Sequence, residues 1–559
     1  MNNKRVQFIL IIIFVIALVA VGISITKDIG KTTSTLTFEE SVKNIDRLIK
    51  NINVTTLPKV KAQVTSPIGD MKETLPSIEK YPLHVEAETP YFVEIFSSTE
   101  KAGSGKDGWL IEIAKRFNAA DIEVNGNKVS VAIRGIASGL GTDYIISGKY
   151  MPDAFSPSNM FWISMIEASG VQTDKISERL CGNVPGIIVS DTTEKMLREK
   201  YGDVSIESIN KAVEANEMAM GYTNPFASST GLNYLVSTLY SYDNNDILSD
   251  TAVAGFEKFQ ANIPFVAYTT LQMRESTKSG VLDGFILEYQ TYKNTPDLRT
   301  GYTFVPFGVR HDSPLYTIGA LSQEKKDILK AFAEYCNTSE SQSLAKEYGF
   351  NYNDSYQPTM KSPSGDELLQ AQRLWKQKKD IAKDIAAVFV ADVSGSMEGA
   401  PMQMMKASLI NGAQYINKDV SLGFVTFSTD VQIALPIAKF DMNQRSFFAG
   451  AVDSMQAVGG TAMYDGILIA ADMLLDYKAA HPDATLMLFV ATDGDVTQGH
   501  KFNQVDTTLK GLGIPIYTIG YNANLPVLQE LSNINEAASI NADNEDVVYK
   551  LSSLFNSQM

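Results

Sequence analysis

Three oxygen-bearing side chains, Asp392, Ser394 and Ser396, come directly after an apolar run at residues 388–391. A strand that is covered on both faces of its sheet is apolar without alternation, and ligands of open α/β sheets bind where such strands end. One carboxylate and two hydroxyl groups are hard oxygen donors, which suit Mg²⁺, Mn²⁺ or Ca²⁺ better than a soft metal. The pattern therefore predicts a divalent-cation site at the end of this strand.

Two later loops carry residues that extend the pattern. Thr461 follows two glycines, and Asp493 follows the apolar run at residues 486–491 within the sequence ATDG. Together the three loops resemble the metal-ion-dependent adhesion site of von Willebrand factor A domains. The resemblance covers nearly all of residues 386–559 and implies a Rossmann-like, doubly wound, mostly parallel sheet. The alternative is that the two serines only cap a helix and Asp493 only makes a turn.

The resemblance also implies a role for each residue of the metal site. Ser394 and Ser396 are expected to bind the ion directly, Thr461 directly or through water, and Asp392 and Asp493 mostly through water. Mg²⁺ takes six oxygens and keeps water readily, so this set leaves one exchangeable position. In the family a partner protein's Asp or Glu fills that position, which implies metal-dependent protein binding and no hydrolysis.

Two further aspartates lie beside the metal-site loops but match no ligand position of the family. Asp465 is expected to cap the helix that it opens. Asp495 is expected to line the turn that contains it.

A second α/β region precedes this domain. Strand and helix signals alternate from Tyr91 onwards, which predicts parallel α/β layers. Residues 279–289 resemble the strand that crosses between the lobes of bacterial type II periplasmic binding proteins, and residues 315–350 resemble the closing helices of that family. This resemblance covers about residues 88–358 and implies a two-lobed domain with a ligand cleft.

Polar residues in the loops after the predicted strands are candidates for that cleft. Their hydroxyl groups, with backbone donors, suit oxyanions or sugars, and Arg134, Glu288 and Tyr289 could add a charge partner or a stacking wall. The same residue types also make helix caps and turns, so the sequence predicts a cleft more firmly than its lining. The candidates are Ser97, Ser98, Ser138, Ser156, Ser158, Asn159, Ser228, Ser229 and Thr230.

The N-terminal region predicts attachment to a membrane. Residues 8–25 are uncharged and apolar and follow Lys4 and Arg5. About 18 or more apolar residues suffice for a membrane-spanning helix, and basic residues before it predict a cytoplasmic N-terminus with the bulk of the chain outside the cell. The alternative is a cleaved signal peptide, although no A-x-A-like cleavage site follows. Scattered prolines between residues 58 and 90 then predict a semi-extended extracellular spacer.

These features divide the chain into five predicted parts. The 559 residues exceed one ordinary domain, and 44% hydrophobic with 20% charged residues is a globular composition. The parts are an anchor over 1–28, a spacer over 29–87, a solute-binding-protein-like domain over 88–360, a helical connector over 361–384 and a von Willebrand factor A domain over 385–559.

Several function classes are disfavoured. A formal net charge of −16 argues against nucleic acid as a partner. Catalytic motifs such as G-x-S-x-G and H-E-x-x-H do not occur, and the sequence at residues 103–106 resembles a phosphate loop only superficially, because Asp107 stands where Ser or Thr is needed. Cys181 and Cys336 form no metal-binding pattern and are expected to be two buried thiols, with a single disulfide as the alternative.

The sequence therefore predicts a non-enzymatic bacterial surface protein. It binds a protein partner through a divalent cation, Mg²⁺ or else Mn²⁺ or Ca²⁺, and its receptor-like domain takes a small solute or a second partner. The alternative is a solute receptor that serves an ABC-type transporter, in which the C-terminal domain only docks partners. A hydrolase or chelatase-complex subunit is a third, weaker alternative.

Overall fold

Alternating strands and helices build three large sheets and one two-stranded sheet in the described part of the chain. The computed structural model describes residues 36–64, 75–263, 265–267, 273, 282–358, 360–379, 384–493, 496–521, 528, 539–542, 554–555 and 558–559. The predicted membrane helix at residues 8–25 lies outside these residues. Among those described, no helix is both long and apolar enough to cross a bilayer.

The first described elements are helix α1 (Phe38–Ile49) and strand β1 (Val54–Thr56). Thr37 and Glu40 close a capping box at the start of α1. Ile45 is fully buried in the same apolar cluster as Val388 of the C-terminal domain, and β1 pairs in parallel with residues 431–433. The sequence predicts a semi-extended spacer over 29–87 with a helix-compatible run at residues 38–52. The helix is present, but the segment is not extended here, because α1 buries Ile45 on the C-terminal domain and β1, whose residues are exposed, joins the edge of its sheet.

The receptor-like domain contains thirteen strands among the described residues. They are β2 (Leu83–Val85), β3 (Phe92–Ser97), β4 (Glu123–Val124), β5 (Asn127–Lys128), β6 (Ser130–Gly135), β7 (Ala154–Ser156), β8 (Lys175–Ser177), β9 (Pro185–Ser190), β10 (Met220–Thr223), β11 (Phe265–Ala267), β12 (Gly284–Glu288), β13 (Tyr302–Pro306) and β14 (Leu315–Thr317). One lobe has the sheet order β2-β6-β3-β7-β14-β8, and the other has β11-β10-β12-β9-β13. The end of the predicted spacer also belongs here, since Leu75 and Ile78 are buried in this domain and β2 joins its sheet.

Helices cover both of these sheets. They are α2 (Trp109–Ala119), α3 (Ser138–Ser147), α4 (Met160–Ala168), α5 (Asp191–Tyr201), α6 (Ile206–Glu214), α7 (Ser229–Tyr242), α8 (Asp250–Ala261), α9 (Tyr289–Lys293), α10 (Gln323–Cys336), α11 (Ser339–Glu347) and α12 (Gly365–Lys378). Helix α12 is the predicted connector, but Leu368, Ala371 and Trp375 are buried in the receptor-like core. The Trp375 indole also donates to the Tyr222 hydroxyl at 2.6 Å. This helix is therefore part of the receptor-like domain.

The C-terminal domain is built on the third sheet, of order β1-β17-β16-β15-β18-β19-β20. Its own strands are β15 (Ile385–Asp392), β16 (Ser421–Phe427), β17 (Val431–Lys439), β18 (Thr485–Thr492), β19 (Ile516–Tyr521) and β20 (Ser539–Ala542). Its helices are α13 (Ala400–Gly412), α14 (Met442–Asp453), α15 (Met463–Ala480) and α16 (Phe502–Leu512). All pairs are parallel except β16 with β17.

Strand β15 lies at the centre of that sheet and is buried along its whole length. Ala387 and Phe389 belong to the apolar cluster on one face, whereas Ala386 and Val388 belong to the cluster on the other. Burial on both faces explains the uninterrupted apolar sequence. The mixed, mostly parallel α/β sheet expected from the sequence is confirmed, and β15 delivers its last residue, Asp392, to the carboxyl edge.

Both cysteines are buried thiols. Cys181 and Cys336 are unpaired and belong to the same apolar cluster of the receptor-like domain. Burial raises the pKa of the Cys181 thiol to about 12. The favoured expectation of two buried thiols agrees with the structure.

Candidate functional site

The carboxylate of Asp392 is fixed beneath the loop that follows β15. It is fully buried, accepts the Ser394 backbone N–H at 2.8 Å and accepts the Thr492 hydroxyl at 2.6 Å. Burial raises the pKa of Asp392, although the hydrogen bonds from Thr492 and Ser394 oppose that rise. Each carboxylate oxygen accepts one hydrogen bond from the protein, which fixes the group beneath the loop and places its negative charge there.

Three oxygens from two loops converge above Asp392. The Ser394 and Ser396 hydroxyls are 3.0 Å apart, and Ser396 donates to the Asp493 carboxylate at 3.0 Å. Neighbouring ligands of an octahedral Mg²⁺, each about 2.0–2.1 Å from the ion, lie about 3 Å from each other. The spacing and the hard-oxygen chemistry of these side chains fit a divalent cation. Burial also raises the pKa of Asp493, against the hydrogen bond from Ser396.

The loop that carries Thr461 packs against the same edge. Gly395 donates its backbone N–H to the Gly459 carbonyl at 3.0 Å, and Val458 donates to the Val393 carbonyl at 2.8 Å. Gly459 has a φ of +80°, and a Cβ there would lie 2.6 Å from the Thr429 hydroxyl. Glycine is thus required where the two loops meet. The structure brings the Thr461 loop to the serine loop, and all five predicted metal-site residues lie on three adjoining loops.

Asp465 has a different role from the one expected. It lies in the first turn of α15, but the residue that caps this helix is Ala462, without a side-chain hydrogen bond. The Asp465 carboxylate instead accepts the backbone N–H of His500 at 2.9 Å and faces its ring Nδ1 at 2.6 Å. The expectation of a helix cap is therefore wrong, and Asp465 ties α15 to the loop before α16. Asp495 lies outside the described residues.

A cavity of about 490 Å³ opens among the loops that follow the strands of the receptor-like domain. Four of the nine predicted cleft residues line it: Ser138, Ser158, Ser228 and Ser229. The lining also contains Thr99, Glu100, Gly103, Ser104, Asp107, Ala137, Ala227, Glu288 and Thr291. The cleft is present, and its polar lining is partly the predicted one.

The other five predicted cleft residues do not line this cavity. Ser97 and Ser156 are fully buried at the ends of their strands, and Ser98 accepts from the buried ammonium group of Lys101. Asn159 caps α4 by accepting the Phe161 backbone N–H, and Thr230 donates to Glu288 at 3.1 Å. These residues support the cavity wall from behind.

Of the three residues expected to add charge or stacking, only Glu288 lines the cavity. Arg134 pairs with Glu94 at 2.7 Å and donates to backbone carbonyls. Tyr289 packs among Tyr292, Phe304 and Tyr352. A charged or aromatic residue next to a strand end can contact other residues of the protein as readily as a ligand. The local sequence therefore does not distinguish a structural role from a ligand-binding role.

Sequence reasoning missed Glu100 and Asp107, which also line the cavity. Both lie in the loop between β3 and α2, where only serines were considered. The Lys106 ammonium group of this loop donates to the Glu347 carbonyl at 3.2 Å and does not line the cavity. The loop therefore supplies carboxylates to the cleft, which agrees with the rejection of a phosphate loop.

Comparison with known proteins agrees with this division of the chain. A family model described as von Willebrand factor type A domain matches residues 387–557, and one described as bacterial extracellular solute-binding protein matches residues 102–351. The inter-alpha-trypsin inhibitor heavy chain H3 of Bos taurus is 30% identical over 151 residues, which are 25% of this chain and 17% of that protein. The chain thus spans about a sixth of the length of this curated relative.

Solved structures with low sequence identity are also similar to parts of the chain. The von Willebrand factor type A protein from Catenulispora acidiphila is 17% identical and covers 31% of this chain and 42% of its own, with a TM-score of 0.29. The sulfate-binding protein SubI from Mycobacterium tuberculosis H37Rv is 14% identical and covers 47% of this chain and 87% of its own, with a TM-score of 0.35.

Proposed function

We propose that this chain, which contains a von Willebrand factor type A domain and a bacterial extracellular solute-binding domain, binds a protein partner through a divalent cation. The observation that carries the proposal is the convergence of the Ser394, Ser396 and Asp493 oxygens at spacings of 3.0 Å. Ser394 and Ser396 would hold the ion directly, Thr461 directly or through water, and Asp392 and Asp493 mainly through water. When bound, the cation offers an electrophilic position to a carboxylate of the partner.

The chain's own residues prepare that position. Asp392 is held by Ser394 and Thr492, so its negative charge favours a cation without occupying the open side of the site. Hydroxyl ligands leave the ion more positive than directly bound carboxylates would, and an Asp or Glu from the partner then completes its coordination. The proposed activity is binding, so the protein is proposed not to be an enzyme.

The location is proposed from the sequence. The apolar stretch at residues 8–25 with the basic residues before it supports a single-pass protein whose larger part faces outwards. In that setting the partner is another surface or extracellular protein.

A second function is supported by the cavity of about 490 Å³ in the receptor-like domain. We propose that this cavity binds a small solute, since cavities of about 300–1,000 Å³ hold small molecules. If the solute is passed to a transporter, the C-terminal domain would dock partners only, and solute binding would be the main activity.

Titration of Mn²⁺ or Mg²⁺ into the full-length protein tests the metal site without knowledge of the partner. One cation is expected per chain, and Ser394→Ala and Ser396→Ala are each expected to weaken it at least tenfold. Ser454→Ala is the matched control, because Ser454 only donates to carbonyls at the end of α14. Unchanged cation affinity in both site variants would contradict the proposed site.

Capture of membrane proteins by the full-length protein tests the partner. The set that is recovered with Mg²⁺ should be lost with EDTA and with Ser396→Ala, and retained with Ser454→Ala. Recovery of the same proteins in all samples would show that binding does not use the metal. A hydrolytic turnover that disappears in Asp392→Ala would instead establish an enzyme.

A further inference from the structure

We infer that Asp465 and His500 form a positioning pair of the proposed metal site, which holds Thr461 in place for the cation. The inference rests on the first proposed function, because it concerns the affinity of that same site. Neither member of the pair binds the ion. The pair acts through the loop at residues 496–501, which lies directly before helix α16.

Thr461 is held through its backbone. Its N–H donates to the Thr497 hydroxyl at 2.8 Å. Its carbonyl accepts the backbone N–H groups of Thr497 and Gln498, at 3.1 Å and 3.3 Å. Because all three hydrogen bonds use backbone groups of Thr461, they fix its position without using its hydroxyl, which is the group proposed to meet the ion.

The residues on either side of Thr461 are held from another direction. Gly460 donates its N–H to the Thr429 hydroxyl at 3.0 Å, and Ala462 donates its N–H to the Ser428 carbonyl at 2.8 Å. Ser428 and Thr429 follow directly on strand β16, so the sheet fixes this first support. The loop of Thr461 is therefore held between two other loops.

The second support needs an anchor of its own. Thr497 and Gln498 come five and six positions after the end of β18 at Thr492, so the sheet does not fix them directly. Asp465 supplies the anchor. One of its carboxylate oxygens accepts the His500 backbone N–H at 2.9 Å and lies 2.6 Å from the ring Nδ1, which must carry the proton because a carboxylate only accepts.

The surroundings of the pair favour a lasting contact. The side chains of His500 and Asp465 are only 20% and 13% exposed, so few water molecules can compete for these hydrogen bonds. Gly499 has a φ of +72°, and a Cβ there would lie 2.5 Å from the Asp465 carboxylate. Glycine is what allows the loop to approach the carboxylate so closely.

These contacts close a ring. Thr461 and Asp465 lie four positions apart, on either side of the start of α15. Asp465 holds the loop at residues 496–501, and that loop in turn holds the backbone of Thr461. Removal of the carboxylate therefore frees one of the two supports of Thr461, although it removes no proposed ligand of the ion.

A loosened Thr461 should affect two cations unequally. Mg²⁺ demands near-ideal octahedral geometry with ligands at roughly 2.0–2.1 Å, whereas Ca²⁺ accepts flexible geometry at roughly 2.3–2.6 Å. The loss of the Asp465–His500 pair should thus weaken Mg²⁺ more than Ca²⁺. A pair that only stabilised the fold would not change the preference between the two ions.

Calorimetric titration of the full-length protein with Mg²⁺ and with Ca²⁺ tests the inference. Asp465→Ala and His500→Ala should each weaken Mg²⁺ about 10–100-fold, as is typical when a group that orients a metal ligand is removed, with a smaller loss for Ca²⁺. His500→Asn should restore most of the Mg²⁺ affinity, because the Asn amide can donate in place of the ring Nδ1. Asp476→Ala, at an exposed site on the same helix, should leave both affinities unchanged.

Hydrogen–deuterium exchange without any cation gives an independent measurement. Peptides that contain the amides of Thr461 and Thr497 should exchange faster in Asp465→Ala than in the wild type, and as slowly as the wild type in Asp476→Ala. If Asp465→Ala does not fold, His500→Ala and His500→Asn carry the test, since both retain the carboxylate of Asp465.

Three results would overturn the inference. Wild-type Mg²⁺ affinity in Asp465→Ala and His500→Ala, with a loss in Ser394→Ala, would refute the positioning role and leave the proposed metal site intact. Equal losses of Mg²⁺ and Ca²⁺ affinity would indicate general structural support and would also refute it. Failure of the wild type to bind either cation would refute the metal site and the positioning role together.

Discussion

Replacement of Ile45 by alanine tests whether the N-terminal segment is part of the C-terminal domain. Ile45 is fully buried in the cluster that contains Val388 and Leu488, more than 300 residues later in the chain. Ile→Ala removes three carbons from this core and leaves a cavity, which together cost about 2–5 kcal/mol. Complete burial supports a value near the middle of that range, about 3 kcal/mol.

Hydrogen–deuterium exchange followed by mass spectrometry assigns the loss to a domain. Where exchange requires unfolding of the domain, about 3 kcal/mol corresponds to exchange that is roughly a hundredfold faster. That acceleration is expected for the slow amides of β15 and β18. Amides of the receptor-like strand β9 should be unchanged, since Ile45 is not in that core.

Lys43→Ala is the matched control on the same helix, because its side chain is exposed. It should change stability by less than about 0.5 kcal/mol. The reasoning would be refuted if Ile45→Ala left β15 as protected as in the wild type, because the segment would then not contribute to the domain.

Three further predictions address other parts of the chain. Burial raises the pKa of Asp143 from 3.8 to about 7, so the folded state favours the protonated carboxyl group. The free energy of unfolding of the wild type therefore falls as the pH rises towards 7. In urea unfolding, the stability of Asp143→Asn relative to the wild type should increase by roughly 2 kcal/mol between pH 5 and pH 8. Trp375→Phe removes the 2.6 Å hydrogen bond to Tyr222 and some packing, which should destabilise the receptor-like domain by about 2 kcal/mol. Hydrogen–deuterium exchange should then be faster for amides of the receptor-like domain but unchanged for those of β15. Cys181 and Cys336 are buried, so a thiol reagent should label neither until denaturant is added, and labelling of the native protein would contradict their placement.

The convergence of the three loops of the proposed metal site was predictable because their signals are local and repeated. The interiors of β15 and β18 are apolar without interruption, and each strand ends in a polar residue at the same edge of a parallel sheet. That geometry brings Asp392 and Asp493 together although they are 101 positions apart in the sequence. The serine hydroxyls that follow β15 then led to the prediction of a cation site.

The N-terminal strand was not predictable, because its three β-branched residues, at 54–56, are too short a run to indicate a strand. β1 has only three residues, all exposed, and its partner β17 contains Pro436 and polar residues. Two glycines within helices of the C-terminal domain do indicate that the N-terminal segment packs closely against them, once the structure is known. A Cβ at Gly450 would lie 2.1 Å from the Val60 carbonyl, and one at Gly511 would lie 2.0 Å from the Ser41 hydroxyl. Glycine within a helix marks a close approach, but it does not identify which segment approaches.

The cleft lining was only partly predictable for a different reason. A serine that follows a strand caps a helix, faces a ligand or supports a neighbour, and all three uses have the same local sequence. Ser229 lines the cavity while it accepts from the Trp162 indole, whereas Asn159 only caps its helix. The distinction depends on how the two lobes meet, which is set by contacts far apart in the chain.

The pairing of β1 with β17 makes the receptor-like domain an insertion within the fold of the C-terminal domain. The chain leaves that domain after Val64 and returns to it at Asp384, so two covalent connections join the two domains. A second covalent connection restricts the relative motion of two domains more than a single linker does. A movement of the two lobes would therefore reach the C-terminal domain through two connections, one after the segment that pairs with β17 and one before β15, the strand that carries Asp392.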